Sequence, residues 1–467
     1  MRHVHLLLVF FLLCSRLAFA EATSAHAGGR IAVAASPETG WRIAAAGDPA
    51  FPAVPEPSEQ RPPVSAATEP AELSLRDALV LALKGNPELA AFSQEVRATE
   101  AAVLQAGVLP NPVLEIGADN LANARKAEAG DRTHSLQIGQ LIELGGKRAA
   151  RIQLAETGRE LANWDYEAKR IEIVSRVAQR VVDVLVAQSR RALADESVGL
   201  ARQVLEVVAK RVQGGKVSPV EETKARLALA SVEVELEQAK RELIATRNAL
   251  GALWGEPNPR FRKAIGDLAK PVPLPSYEAL AERVRDNPEL ARWRSEISRR
   301  QARVEAERAK AVPDVTLSAG VARFSQFDDH AYMVGIAIPI PVFDRNRGGI
   351  LEASQRLDKA SDERRAVETR LLTELAQAYQ RLAAIDKEIL TLRTILLPGA
   401  QSAFDVATAG YQLGKFSFLD VLDAQRTLFQ TRTQNLRALA DYQRGLSELE
   451  RLVGGALQSP GVPAAPQ

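Results

Sequence analysis

Apolar positions change their period several times along the chain, and each change marks an element. From about Leu144 to Val212 they return at intervals of three and four, as in Val174, Ala178, Val181 and Leu185, with no proline between. That is the period of one helix face. Roughly seventy residues at about 1.5 Å each make a rod on the order of 100 Å long. Its seam is too narrow to stabilise it alone, so neighbouring helices packed as in a coiled coil are required. A second such stretch runs from about Gly349 to Gln412, where Pro398 predicts a kink or break.

Elsewhere the period is two. Leu114, Ile116 and Ala118 alternate with Glu115, Gly117 and Asp119, and Leu136 and Ile138 alternate with Gln137 and Gly139. Further on, Val315, Leu317, Ala319 and Val321 alternate with Thr316, Ser318, Gly320 and Ala322. Tyr332, Val334, Ile336 and Ile338 then alternate with Met333, Gly335 and Ala337. Each run is about nine or ten residues, the length a tilted strand needs to cross a bilayer, with one apolar and one small or polar face. Phe324, Phe327 and Tyr332 are candidate interfacial anchors near one end, and Met333 reads as interior-facing. The same alternation is expected of a soluble sandwich or half-buried sheet.

These patterns occur twice, about 200 residues apart, which is too long for a solenoid repeat. Asn86-Pro87-Glu88-Leu89-Ala90 returns as Asn287-Pro288-Glu289-Leu290-Ala291. A charged, Ala-rich helix follows each, stopping at Pro110 and Pro112 or at Pro313. Next come two strand-like runs, a Gly pair (Gly145-Gly146, Gly348-Gly349), a very long helix, a Gly-Lys turn (Gly215-Lys216, Gly414-Lys415) and a last helix. The expected organisation is a first repeat over 71–255 with a hairpin at about 112–142, a linker over 256–275, and a second repeat over 276–455 with a hairpin at about 313–340.

The flanks differ. Residues 1–20 read as a secretory signal: a polar start at Arg2 and His3, an apolar run from Leu6 to Leu13, and Ala18-Phe19-Ala20 as the cleavage site. Cys14, the only cysteine, falls inside it; Leu13 is too large to precede a lipidated cysteine. Residues 21–70 and 456–467 read as a disordered leader and tail. No later stretch is apolar enough for a transmembrane helix, so an exported chain of this kind is periplasmic, secreted or a β-barrel. The 60 Lys+Arg against 58 Asp+Glu give no reason to expect a nucleic-acid partner. Four strands close no barrel, and an open edge cannot face lipid, so a membrane reading requires identical neighbours.

On these features the chain resembles the outer-membrane efflux protein (TolC) family from Leu73 to Gly455. The duplicated plan carries the resemblance, as does the stretch from Tyr411-Gln412-Leu413-Gly414-Lys415-Phe416 through Ser417-Phe418-Leu419-Asp420-Val421-Leu422-Asp423-Ala424-Gln425. Glu143-Leu144-Gly145-Gly146-Lys147-Arg148 and Pro339-Ile340-Pro341-Val342-Phe343-Asp344-Arg345-Asn346 are similar to the cobalt–zinc–cadmium (CzcC-like) branch. The resemblance implies a mainly α fold with a membrane β part: a homotrimer with a shared 12-strand barrel and a periplasmic α-barrel. It implies a periplasmic adaptor and an inner-membrane resistance-nodulation-division pump as partners, outer-membrane lipid around the barrel, and a passive exit duct for heavy-metal cations.

Asp420 and Asp423, three apart, share one side of a helix. They read either as solvated acids at a helix N-terminus or, as the resemblance implies, as acidic rings at a periplasmic gate that attract cations. Tyr411 matches a tyrosine that helps hold the gate shut, whereas Phe416 stands where the family has an arginine; Glu221 and Glu222 are only loosely equivalent to the two aspartates. The resemblance places Gly214, Gly215, Lys216, Gly414 and Lys415 at hairpin tips that meet the adaptor. His134 and His330, the latter beside Asp328 and Asp329, fall in the polar links between strands, where isolated histidines face water; no convergent metal set and no cofactor is expected. Without a nucleophile motif or phosphate loop, enzyme activity is not expected. A drug-efflux or type I secretion channel of the same fold, or a soluble periplasmic coiled-coil scaffold, are the alternatives.

Overall fold

A computed structural model describes residues 71–119, 133–269, 274–324 and 329–457. The expected signal, leader and most of the tail, with Cys14, Phe327 and Asp328, lie outside the described residues.

Each repeat begins with a short helix and a longer one: α1 (Leu75–Gly85) and α2 (Pro87–Ala106), then α5 (Tyr277–Val284) and α6 (Pro288–Lys310). The duplicated Asn-Pro pair explains itself here. Asn86 caps α2 by accepting from Leu89 N at 2.9 Å, while its amide donates to Leu253 O at 2.8 Å. Asn287 likewise accepts from Glu289 N at 2.7 Å and donates to Leu452 O at 2.8 Å. Both are buried, and a side chain that both accepts and donates fastens the start of each repeat to its end. Proline at the first helical position loses no bond.

The rods are α3 (Lys147–Gln213), paired with α4 (Pro219–Gly251), and α7 (Arg347–Thr391), continued by α8 (Leu397–Gln412) and paired with α9 (Phe418–Leu452). The most buried line of α3 is Ile173, Val177, Val181 and Val184, packed with Leu73, Leu250 and Phe261 under a short parallel pair, β1 (Glu72–Ser74) with β4 (Lys263–Ile265). Leu280, Leu371, Leu375, Leu382 and Leu449 form the matching core of the second repeat. Pro398 does not end the rod, but the α-helix is interrupted just before it. A π-helical turn over Leu392–Leu396 absorbs the register change, and α8 restarts with Pro398 in its first turn, where no N–H is missed.

The strands are β2 (Val113–Asp119), β3 (Thr133–Ile142), β5 (Val315–Phe324) and β6 (Asp329–Ala337), in one antiparallel sheet of order β2-β3-β5-β6. The two repeats meet at β3 and β5, paired from Thr133–Phe324 to Ile142–Val315. Among the described residues, the outer edges of β2 and β6 pair with nothing. Directly paired residues share a face. One face carries Leu114, Ile116, Leu136, Ile138, Leu317, Val321, Tyr332, Val334 and Ile336; the other carries Glu115, Gln137, Ser318, Gly320, Met333 and Gly335.

Two expectations are corrected. His134 and His330 lie within β3 and β6, on the apolar face, and not in the links. Phe324 pairs with Thr133 and Asp329 and so points to the small-residue face, away from Tyr332.

The motifs at the junction of sheet and helices are joints. Arg151 grips the Glu143 carboxylate and the Ala106 carbonyl, and Asp314 accepts from Leu144 N at 3.0 Å and from Lys147 at 2.8 Å. Gly145 and Gly146 take positive φ in the first repeat; in the second, Asn346 does so and donates to Glu307 at 2.8 Å.

Candidate functional site

The two rods turn back at glycine. Gly214 caps α3, and Gly215, at φ 65°, lets Lys216 N reach Arg211 O at 2.9 Å. In the second repeat Gly414, at φ 76°, lets Lys415 N reach Gly410 O at 2.8 Å. Left-handed backbone without a Cβ penalty is what both turns need. Lys216 and Lys415 are exposed. Phe416 folds back over Gly410, where a Cβ would lie 2.0 Å from its ring.

The return helices start alike. Ser218 caps α4 and Ser417 caps α9, so Glu221 and Asp420 are both third helical residues, a closer equivalence than the sequence spacing suggested. Their partners differ. Asp420 folds onto its own cap, accepting from Ser417 N and Oγ at 2.8 Å each, and these bonds hold its carboxyl below the usual carboxylate range. Glu221 reaches across and accepts from the Tyr411 hydroxyl at 3.0 Å. Asp423 is exposed one turn beyond Asp420 and makes no hydrogen bond or ion pair among the described residues.

The structure brings the two tips together in one apolar cluster: Val208 from α3, Ala225 from α4, Phe404 and Tyr411 from α8, Phe418 and Leu428 from α9. Tyr411 is its polar centre, only 4% exposed. The Arg211 guanidinium lies 4.4 Å from its ring centroid and donates to its carbonyl, while Phe418 packs at 5.9 Å. Burial, and then the Glu221 carboxylate, push the phenol up to about 12, so the hydroxyl stays a donor at any physiological pH. Tyr411 therefore ties α8 to both helices of the other hairpin. No local pattern in the sequence marks Arg211 and Glu221 as its partners: they lie 200 and 190 residues away from it in the chain.

Among the described residues no three His, Cys, Asp or Glu side chains converge as metal ligands, and no helix is long and apolar enough to cross a membrane.

The outer membrane efflux protein family matches the chain over residues 78–256 and 279–455. The cobalt-zinc-cadmium resistance protein CzcC of Cupriavidus metallidurans is 40% identical over 82% of this chain and 90% of its own length. The nickel-cobalt-cadmium resistance protein NccC of Alcaligenes xylosoxydans xylosoxydans is 28% identical over 69% of this chain and 72% of its own. The solved structure of CusC, described as forming a transmembrane channel, superposes with a TM-score of 0.72 at 21% identity, covering 86% of this chain and 99% of that one.

Proposed function

Because the chain belongs to the outer membrane efflux protein family, we propose that three copies of it form an exit duct for divalent heavy-metal cations. It is a non-enzymatic outer-membrane channel subunit with much of its mass on the periplasmic side.

The observation that carries the reading is a sheet with two open edges and an apolar face turned to the outside: Ile116, Val334 and Tyr332 are 76%, 78% and 83% exposed. In a chain of this family such a face is suited to lipid, and such edges to further strands. Three copies supply twelve strands, a closed barrel. The rods carry unpartnered seams of the same kind. Val220, Leu227 and Val234 recur every seven residues, exposed on α4, and Val406 on α8 is exposed seven residues before Leu413, which caps that helix. That is coiled-coil spacing awaiting a neighbouring subunit.

The cargo follows from the similarity to metal-resistance proteins, above all at 40% identity over most of both chains. The energy source is then an inner-membrane resistance-nodulation-division pump, joined through a periplasmic adaptor that meets the tips at Gly214, Gly215, Lys216, Gly414 and Lys415. The gate is the Tyr411–Glu221 tie, with Asp420 and Asp423 of three subunits facing the axis. Growth of a deletion strain across zinc, cadmium, cobalt, nickel and copper tests the substrate: sensitivity to one or more of these metals is expected. Sensitivity to drugs with unchanged metal tolerance would overturn the metal cargo.

A further inference from the structure

Where the sheet meets the helices, the two repeats end differently. In the first, the exit from β3 packs onto the entrance to β5. Pairing runs to Ile142–Val315, Leu144 N then donates to Asp314 at 3.0 Å, and Gly145 lies against Val312. In the second, β6 is the last strand of the sheet, and its pairing with β5 stops at Thr316–Ala337. The apolar segment that follows, residues 338–343, is bare: Ile340 is 81% exposed and Phe343 wholly so. On the opposite edge of the sheet, Val113 and Leu114 at the entrance to β2 are exposed as well.

The prolines of this segment suit a chain that leaves one neighbouring strand and meets another. Backbone groups alternate along an extended chain, so Pro339 and Pro341 address one edge, and Ile338 and Ile340 the other. Ser318 Oγ reaches Gly335 O at 3.4 Å, which puts the odd-numbered residues of β6 on the β5 side. The close approach of Gly320 to Gln137 agrees: it marks a pair that exchanges no bonds across β3 and β5, so Gly320 bonds to Met333 of β6. The missing proline N–H groups therefore fall towards β5, where they end that ladder. Ile338 and Ile340 keep theirs on the outer edge. With no strand opposite, Val342 N turns back on Ile340 O at 2.8 Å.

The duplication supplies the missing neighbour. Gly146 and Asn346 are the left-handed caps of α3 and α7, so Ile142, four residues before the first, corresponds to Val342, four before the second. Pro112 and Pro313 precede β2 and β5, so Leu114 corresponds to Val315. The rung Ile142–Val315 thus translates into Val342 against Leu114 of a second copy. Two and four residues on, Ile340 meets Ile116 and Ile338 meets Ala118. Each pair sets apolar face beside apolar face, whereas a register one residue out would set these side chains against Glu115 and Gly117.

Resting on the reading of a barrel shared by three copies, we propose that residues 338–342 are a strand extension that docks on residues 114–118 of the next copy. The surface is continuous with the β6 and β2 edges that the barrel closes. The motif at 339–346 thereby makes between subunits the joint that residues 143–147 make within one. It seals each seam at the foot of the barrel, below the last rung that β6 shares with β5.

The test is thiol cross-linking between co-expressed full-length chains, with Cys14 replaced by serine throughout. Directly paired residues lie about 5 Å apart at Cβ, within reach of a short bifunctional methanethiosulfonate. In outer-membrane vesicles, chains carrying I116C and I340C under different tags should be joined into a mixed dimer. A second pair, L114C with V342C, guards against a variant that fails to fold. Either member of a pair alone should give no band. Nor should I340C with V321C, which lies on the same face two strands beyond Ile116. Absence of a mixed dimer from both pairs would overturn the proposal, as would an equal band with V321C. Native mass spectrometry of the same vesicles separates the two readings. Trimers present without either cross-link defeat only this docking; chains absent from the outer membrane, or monomeric in it, defeat the shared barrel itself.

Discussion

Replacing Tyr411 with phenylalanine removes one oxygen from the hairpin tips and leaves the buried ring in place. The lost bond is a phenol donating to the Glu221 carboxylate at 3.0 Å. Bonds to charged groups contribute about 1.5–3 kcal/mol. Glu221 is half-buried, so water replaces part of the lost donor and the lower end, about 1.5 kcal/mol, applies. Each subunit's equilibrium between tied and separated tips should then shift about tenfold. The Arg211 stack and its bond to the Tyr411 carbonyl survive the change, so the effect isolates the hydroxyl. Single-channel recording in planar bilayers should show longer open dwells for Y411F and for E221Q. The double variant should be no more open than either single one. Unchanged dwells, or effects that add, would refute the tie. The pH dependence carries a sign of its own. The phenol is raised in the folded protein from about 10 to about 12, so its stabilisation is complete below the unfolded value. The stability gap between wild type and Y411F should be constant up to about pH 10 and close as pH rises through about 12.

Replacing Asp420 and Asp423 with alanine should weaken block of the channel by divalent cations in planar bilayers; unchanged block would remove the acidic ring. The Ser417 bonds lower the Asp420 carboxyl, so in wild type its charge should outlast that of an ordinary aspartate as pH falls below about 4. Charge reversal at Lys216 and Lys415 together should reduce chemical cross-linking to the adaptor, and full cross-linking would exclude the two tips as the docking site.

The parts legible in the sequence were those encoded locally. Period two along Leu114–Ala118 or Tyr332–Ile336 is a property of neighbours in the chain, and it gave the strands and their apolar face. Period alone does not say where each strand stops, and it leaves His134 and His330 to the links although the ladder continues through them. Pro398 is legible as a perturbation but not as a solution, because a π-helical turn two to six residues upstream depends on how the rod packs. The Tyr411 tie was least visible. Equivalent caps at Ser218 and Ser417 suggest equivalent acids, yet Glu221 has one methylene more than Asp420 and reaches another hairpin. Only the packing of Phe418 and Val208 around Tyr411 brings that hairpin within range.

The two unpaired strand edges also have a genetic consequence. In a three-subunit barrel every β2 must find a β6 on the next copy, so each chain supplies half of two seams. A copy with a spoiled edge but sound rods would still be recruited and would disable two healthy partners with it. Expressed at parity with the normal chain, it should leave only about one channel in eight without a defective copy. Lesions in β2 or β6 should therefore be dominant, while chains too damaged to assemble should be recessive.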